Sequence, residues 1–269
     1  MAKFKRKKSR ERRNVIDEAP HRITGGHVIP DLSDEALERE STAELMAILQ
    51  ISACHDVGSL HTQRTLRYID PDGVEREYSA DLTAQLKDIE ILIEVKPLVR
   101  LLEPDTRTFY AMVARSLQQT GRRLDFITEE QLLVTPRNDT ATFLKRYRSH
   151  PIADSILAWI QAQLAAGPAT IQDLLARPGS EATLADLYAA ISQRKAWIDW
   201  NRPLSVEATI ALPHSGFGGL SYEQIHYSGR HGLVLEELVL GGGPEADRLL
   251  AAEKARRKRL SRPADLGFF

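Results

Sequence analysis

The chain is poor in the features that would place it outside the cell or in a membrane. One cysteine in 269 residues, Cys54, excludes an intramolecular disulfide and any zinc finger built on cysteines. No apolar run approaches the ~18 residues that a membrane-spanning helix needs. Met1 leads straight into KFKRKKSRERR, where a secretory leader would be apolar. The Gly241-Gly242-Gly243 run has no Lys-Ser/Thr behind it, so it is not a phosphate-binding loop and reads as a flexible linker. The expectation is a soluble protein of a reducing compartment. Its length allows one large domain or two ordinary ones. With 42% hydrophobic and 27% charged residues, it can build a core.

The net charge of −1 hides an asymmetry. Residues 1–13 carry +7 and residues 254–262 carry +6, leaving −14 on the body. Basic ends attract polyanions through counterion release, which points to nucleic acid; solvated ends are the plainer explanation.

Periodicity and turn signals divide the chain. Residues 1–39 read as a basic arm and an irregular segment. LSDEALERESTAELMAILQ carries a helical pattern, with Ser41 and Glu44 spaced as a capping box, and HDVGS breaks it. RTLRYI (64–69) reads as a strand, Asp70-Pro71-Asp72-Gly73 as a turn, and VEREYSADLTAQ as a second strand. IEILIEVK (89–96) is the clearest strand, with Ile89, Ile91, Ile93 and Val95 on one face. A helix over 106–123 closed by Gly121 and a strand over 124–128 follow. An antiparallel meander and then a helical crossover predict an α/β fold with a mixed sheet. Beyond residue 150, three helices and two short strands (WIDWNRPLSVEATIAL) have the order of a smaller, winged-helix-like α+β domain over 150–212. Residues 213–269 read as a Gly-rich and basic tail.

The chemistry concentrates near the end of the 89–96 strand. Its other face carries Glu90, Leu92, Glu94 and Lys96, and charge on an otherwise apolar strand is a local inconsistency of the kind that marks function. A solvated strand face with a weak ion pair explains Glu94 and Lys96 alone. Asp81, on the neighbouring strand, changes the weighting. Carboxylates at two adjacent strand ends can share Mg²⁺, with the Val95 carbonyl and Glu44 as further oxygen ligands. Lys96 beside the ion could orient or deprotonate water, or stabilise a pentacovalent phosphate. A two-metal arrangement of this sort suits phosphodiester hydrolysis.

The order Glu44, Asp81, Glu94-Val95-Lys96 resembles the PD-(D/E)xK restriction-like nuclease pattern. More narrowly, it is similar to TnsA, the endonuclease subunit of heteromeric transposases. STAELMAILQISACHDVGSLHTQ resembles that family's opening catalytic helix, YSADL its Asp-bearing strand, ILIEVKP its strand ending in Glu/Gln-Val-Lys-Pro, and TFYAMVARSLQQTGRRLDFIT the helix–strand that follows. The likeness covers roughly residues 40–130 and is architectural over 150–212. It implies a restriction-endonuclease-like domain over 40–140 that hydrolyses double-stranded DNA at transposon ends to release the 5′ ends. Glu44, Asp81, Glu94 and Lys96 would be catalytic; Glu44, Asp81, Glu94 and Val95 would hold Mg²⁺, with Mn²⁺ as a substitute. It also implies a DDE-type transposase subunit and an AAA+ ATPase regulator as partners, contacts to them through the tail from about residue 213, no membrane association, and a cytoplasmic, nucleoid-associated place in a bacterium. One departure stands out. Some family members carry an acid in the helix after the lysine, whereas residues 106–120 contain none and Glu103 and Asp105 precede it. Other readings are a related nuclease of DNA repair, restriction or phage DNA processing, and a non-catalytic DNA-binding or scaffold protein.

Elsewhere, His55 and His61 read as surface histidines, and Cys54 as a small buried group. Trp159, Trp197 and Trp200 read as core. Arg194 and Lys195 would touch phosphates if the third helix of the C-terminal half entered a groove.

Overall fold

The computed structural model describes residues 25–260. The basic arm over 1–13 and Arg262 lie outside them.

Strands β1 (Gly25–His27) and β2 (Leu37–Arg39) pair as a small ribbon before helix α1 (Thr42–Ile51). Strands β3 (Val57–Thr62), β4 (Thr65–Ile69), β5 (Glu75–Ser79), β6 (Leu82–Leu86) and β7 (Ile89–Val95) follow. After a single turn α2 (Leu98–Leu101), helix α3 (Pro104–Gln118) crosses over to β8 (Arg123–Ile127). The central sheet has the order β3-β6-β7-β8, antiparallel except for the parallel pair β7–β8. The fold is therefore α/β with a mixed sheet, as the crossover pattern predicts. Buried on both faces, β7 reads as a near-continuous apolar run: Ile91, Leu92 and Ile93 are all inaccessible to solvent.

Three expectations for this half are corrected. Within residues 25–39, read as irregular and as the start of the helical pattern, β1 and β2 pair, and the helix begins only at Thr42. VEREYSADLTAQ is two strands. The chain bends at Ala80-Asp81, so that β5 pairs only with β4 while β6 enters the central sheet. Asp81 thus sits just before β6, where its carbonyl accepts the Gln63 N–H. HDVGS is likewise not simply a break, because its Val57 opens edge strand β3. A bulge between Val57 and Ser59 disrupts the period-two pattern there, which hides the strand.

Helices α4 (Glu129–Leu132), α5 (Arg137–Leu144) and α6 (Asp154–Ala165) continue the chain. Strand β9 (Ala169–Thr170) leads into α7 (Ile171–Ala176), whose N-cap Thr170 accepts the Asp173 N–H. Then come α8 (Leu184–Ser192), β10 (Trp197–Ile198) and β11 (Thr209–Ala211). The three short strands form an antiparallel sheet of order β10-β11-β9.

Residues 213–260 are folded onto the body. The SGFGGLS stretch passes close over β10: a Cβ on Gly218, whose φ is +62°, would lie 2.5 Å from the Ile198 carbonyl oxygen. Helix α9 (Tyr222–His226) packs beneath β8, and a π-helical turn (Glu237–Gly241) packs on α3. Gly242 and Gly243, expected as a linker, form a positive-φ turn against Arg107 and lead into helix α10 (Pro244–Leu260).

One apolar cluster runs from Ile29 through Ile48, Ile93 and Leu144 to Leu187, Ile210 and Ile225, so the two halves share a core. The opposite face of the sheet is covered by the β4–β5 ribbon, α3, the π-helical turn and α10. Buried guanidiniums stitch the seam. Arg148 donates to both Asp31 carboxylate oxygens, at 2.9 and 3.0 Å, and to the Ser52 and Ser192 carbonyls. Arg194 donates to the Cys54 and Val57 carbonyls at 3.0 and 2.6 Å, and pairs with Asp31. Arg194 is therefore a structural clamp and no phosphate ligand, and α8 turns Leu187 to Ser192 into the core. Trp200 is buried, Trp159 and Trp197 half-buried, and Cys54 is inaccessible, as expected of core groups.

Arg137 has no carboxylate partner among its hydrogen bonds. It donates to Gln50 Oε1 (2.8 Å), the Gln131 carbonyl (2.5 Å), the Gln224 carbonyl (3.1 Å) and Ser228 Oγ (2.8 Å). Arg137→Met leaves several buried acceptors unpaired, at about 1–3 kcal/mol each. Urea unfolding should show stability lowered by at least about 2 kcal/mol with the denaturant slope unchanged.

Candidate active site

The sheet positions the site through its registers. Leu82 pairs with Ile93 and Glu94 with Phe126, so Asp81 and Glu94-Val95-Lys96 lie where β6 begins and β7 ends. Asp81 continues the ladder with its side chain: its Oδ2 accepts the Val95 N–H at 2.9 Å. That bond aims the Asp81 carboxylate at the strand end, where Lys96 Nζ lies 3.7 Å from the same oxygen. The Lys96 ammonium also contacts Glu94 Oε1. Asp81, Glu94 and Lys96, expected together from the sequence, are brought together.

The face that carries Glu94 is buried. Glu94 is 3% exposed, beneath the β4–β5 ribbon and beside Phe126. Its Oε2 accepts a hydrogen bond from the Tyr78 hydroxyl at 2.5 Å. Burial pushes the Tyr78 phenol well above its ordinary range, so this hydroxyl keeps its proton and donates it. Phe109 and Tyr110 extend the aromatic group, with ring centroids 6.2 Å (Tyr78–Phe109) and 5.2 Å (Phe109–Tyr110) apart.

Glu44 reaches the site from the first turn of α1. Ser41 caps that helix, and Glu44 folds back to accept from the Ser41 hydroxyl (2.9 Å) and the Glu40 N–H (2.6 Å). Ser41 caps the helix as the capping-box spacing suggests, but the reciprocal bond is not made: Glu44 reaches the Glu40 N–H instead of the Ser41 N–H. Burial raises the Glu44 carboxyl above its usual range, and the negative charge of Asp81 adds to that rise. Burial also raises Asp81; Lys96, the Val95 N–H and the Gln63 side chain pull it back, while Glu40 pushes it further up.

Tyr78, Gln63 and Glu40 are site residues that the sequence reading did not name. Tyr78 lies within the quoted YSADL segment, three residues before Asp81, but period two alone cannot show that a ribbon folds back across the sheet. Gln63 has φ +53°, a left-handed turn that sends the chain from β3 into the ribbon. Glu103 pairs with Arg100 on the surface, and Asp105 lies in the first turn of α3. His55 is exposed, and its Nδ1 lies 2.7 Å from the Leu220 carbonyl oxygen.

The candidate donors are oxygens: carboxylates of Asp81, Glu94 and Glu44, with the Val95 carbonyl at the strand end. By type they suit a hard divalent ion and not a softer metal. Among the described residues, however, the three carboxylates are not gathered within 4.8 Å of one another, so Glu44 is near enough to be felt by charge and would have to move to share an ion. Among the described residues, Lys96 is the cation that stands beside Asp81 and Glu94, with Glu44 and Glu40 adding further negative charge.

Tyr78→Phe removes a hydrogen bond to a buried carboxylate and should cost about 1.5–3 kcal/mol. Thermal unfolding checks this, and Phe109→Leu, which leaves Glu94 fully bonded, should cost less. No protein-family model matches the chain and no curated protein matches it, so the chemistry of these side chains carries the functional reading.

Proposed function

We propose that the chain is a metal-dependent DNA endonuclease of the restriction-like class, and the TnsA-like subunit of a heteromeric transposase that releases the 5′ ends of the element. The observation that carries the reading is the Asp81–Val95–Glu94–Lys96 cluster at the ends of two adjacent strands. A sheet of order β3-β6-β7-β8, with a helix before it and a crossover helix inside it, supports the restriction-endonuclease-like domain. The order of α6 to α8 and β9 to β11 supports the winged-helix-like reading of residues 150–212. With α8 buried, that unit acts as a buttress and not through its third helix.

Asp81, Glu94, Glu44 and the Val95 carbonyl would hold Mg²⁺ or Mn²⁺. When bound, the ion supplies Lewis acidity and a water of lowered pKa. Lys96 contributes a positive charge where a phosphate oxygen gains negative charge. Tyr78 and the Val95 N–H orient the two carboxylates, so little reorganisation is needed at reaction. The transposase subunit would choose the site, the AAA+ ATPase would regulate it, and the exposed parts of residues 213–260 would contact them.

Purified protein with its transposase partner, Mg²⁺ and end-containing duplex should cleave the 5′ strand. Asp81→Ala and Lys96→Ala should each lower the rate at least 10³-fold while circular dichroism stays unchanged. Full activity in both variants overturns the site. Cleavage of generic DNA without a partner would instead place the enzyme in repair, restriction or phage DNA processing. Intact DNA binding with no Mg²⁺ or Mn²⁺ uptake by calorimetry would make it a non-catalytic DNA-binding protein.

The raised carboxyls of Asp81 and Glu44 set a pH dependence. Both must be ionised to bind a cation, and their protons leave above the ordinary carboxylate range. Mn²⁺ affinity should therefore fall on acidification at a pH above their ordinary values of 3.8 and 4.5. Calorimetric titration of the unaltered protein across pH checks this. Asp81→Asn removes the neighbouring charge and should let Glu44 ionise at lower pH, followed without metal by NMR of its carboxyl carbon.

A further inference from the structure

A second group of ligand-type side chains lies on the other face of the sheet. Asp125 pairs with Ile93 in the β7–β8 register, so it points away from Glu94 and toward α9. There it meets His226 of α9 and Glu236, which precedes the π-helical turn. One ligand atom from each lies within 4.8 Å of the others. His226 Nδ1 is 3.8 Å from Asp125 Oδ2, and His226 Nε2 is 3.3 Å from Glu236 Oε1. Asp125 is 1% exposed and His226 2%.

The donors around Asp125 are distributed unevenly. Arg123 Nε and Nη2, at 3.0 and 2.7 Å, and the Tyr222 hydroxyl, at 3.0 Å, all meet Oδ2. Among the described residues, Oδ1 is fully buried with no hydrogen-bond partner, and neither has His226 Nδ1 one. Two unpaired polar atoms on neighbouring, enclosed side chains are a cost that native interiors avoid unless something satisfies them.

We propose that Asp125, His226 and Glu236 form a second cation site, for Zn²⁺ or a similar borderline divalent ion, that fastens residues 220–241 to the central sheet. One imidazole and two carboxylates suit Zn²⁺ and disfavour Mg²⁺, which avoids nitrogen. An ion takes only one imidazole nitrogen, so the two short contacts, made by opposite ring nitrogens, do not both become ligand pairs. One ligand atom from each residue lies within 4.8 Å of the others. Side-chain rotation, easiest for Glu236 as the most exposed of the three, would bring them to the roughly 3.5 Å spacing of tetrahedral ligands at about 2.0–2.2 Å from the ion. Arg123 and Tyr222 then serve as outer partners that orient the Asp125 carboxylate and moderate its charge. Glu236, whose side chain is 28% exposed, marks the way in. The site draws on β8, α9 and the segment after it, so the ion would join parts of the chain about 100 residues apart.

The test uses the full chain carrying Asp81→Ala and Glu94→Ala, which removes the proposed catalytic ion and makes the outcome independent of nuclease activity. After chelation and equilibrium dialysis against Zn²⁺, this protein should retain one equivalent. Co²⁺ in its place should give the visible absorption of a nitrogen-containing, low-symmetry site. His226→Gln should abolish that absorption, and Glu236→Gln, a partly exposed position that tolerates change, should weaken Zn²⁺ retention at least tenfold. Retention of less than half an equivalent by the parent, or equal retention by Glu236→Gln, overturns the proposal and leaves the three residues as a proton-sharing cluster.

Discussion

A single hydrogen bond, from the Val95 N–H to the Asp81 carboxylate, decides where the acids of this protein stand. The β6–β7 ladder runs out at Leu82 and Ile93, and Asp81 extends it by one rung with a side chain in place of a backbone carbonyl. Asp81 therefore cannot swing into solvent without freeing a buried N–H. The same bond aims its carboxylate at Lys96, and Lys96 contacts Glu94. Glu94 is held from its other side by Tyr78, so the ribbon over the sheet and the strand ends form one electrostatic unit.

The C-terminal half supports this unit from below. Three guanidiniums replace the water that loop carbonyls would otherwise need: Arg137 for the end of α1 and for α4 and α9, Arg148 for the chain ends near Ser52 and Ser192, Arg194 for the turn at Cys54 to Val57. A planar group with five donors suits such work better than lysine's point charge. These arginines are placed inside a body of net negative charge because there they satisfy carbonyls.

The sequence disclosed elements whose pattern is local. The β7 run, the Asp70–Gly73 turn, the Thr170 cap and the crossover from β7 to β8 follow from period, turn chemistry and capping. The acids Asp81 and Glu94 and the cation Lys96 were legible because charge on a buried strand is conspicuous. Less legible was anything set by folding at a distance. The bend at Ala80-Asp81 has no glycine or proline to announce it, and the β3 bulge spoils the alternation. Arg194 looks like a solvated helix end until Cys54 and Val57 are seen beside it. The glycines of 216–219 read as slack, whereas close approach to Ile198 and Trp197 is what requires them. Asp125, His226 and Glu236 stand too far apart along the chain for any spacing rule to join them.

The continuous apolar cluster from Ile29 to Ile225 has a consequence for how such a chain can change over time. A beads-on-a-string protein can trade one bead for another through its linker. Here a crossover in the gene near codon 150 would sever side chains that fit one another, such as Leu144 against Ser192 and Ile48 against its neighbours across the seam. Recombinants would inherit mismatched halves, so the two segments are constrained to descend together, and novelty is confined to the outer loops.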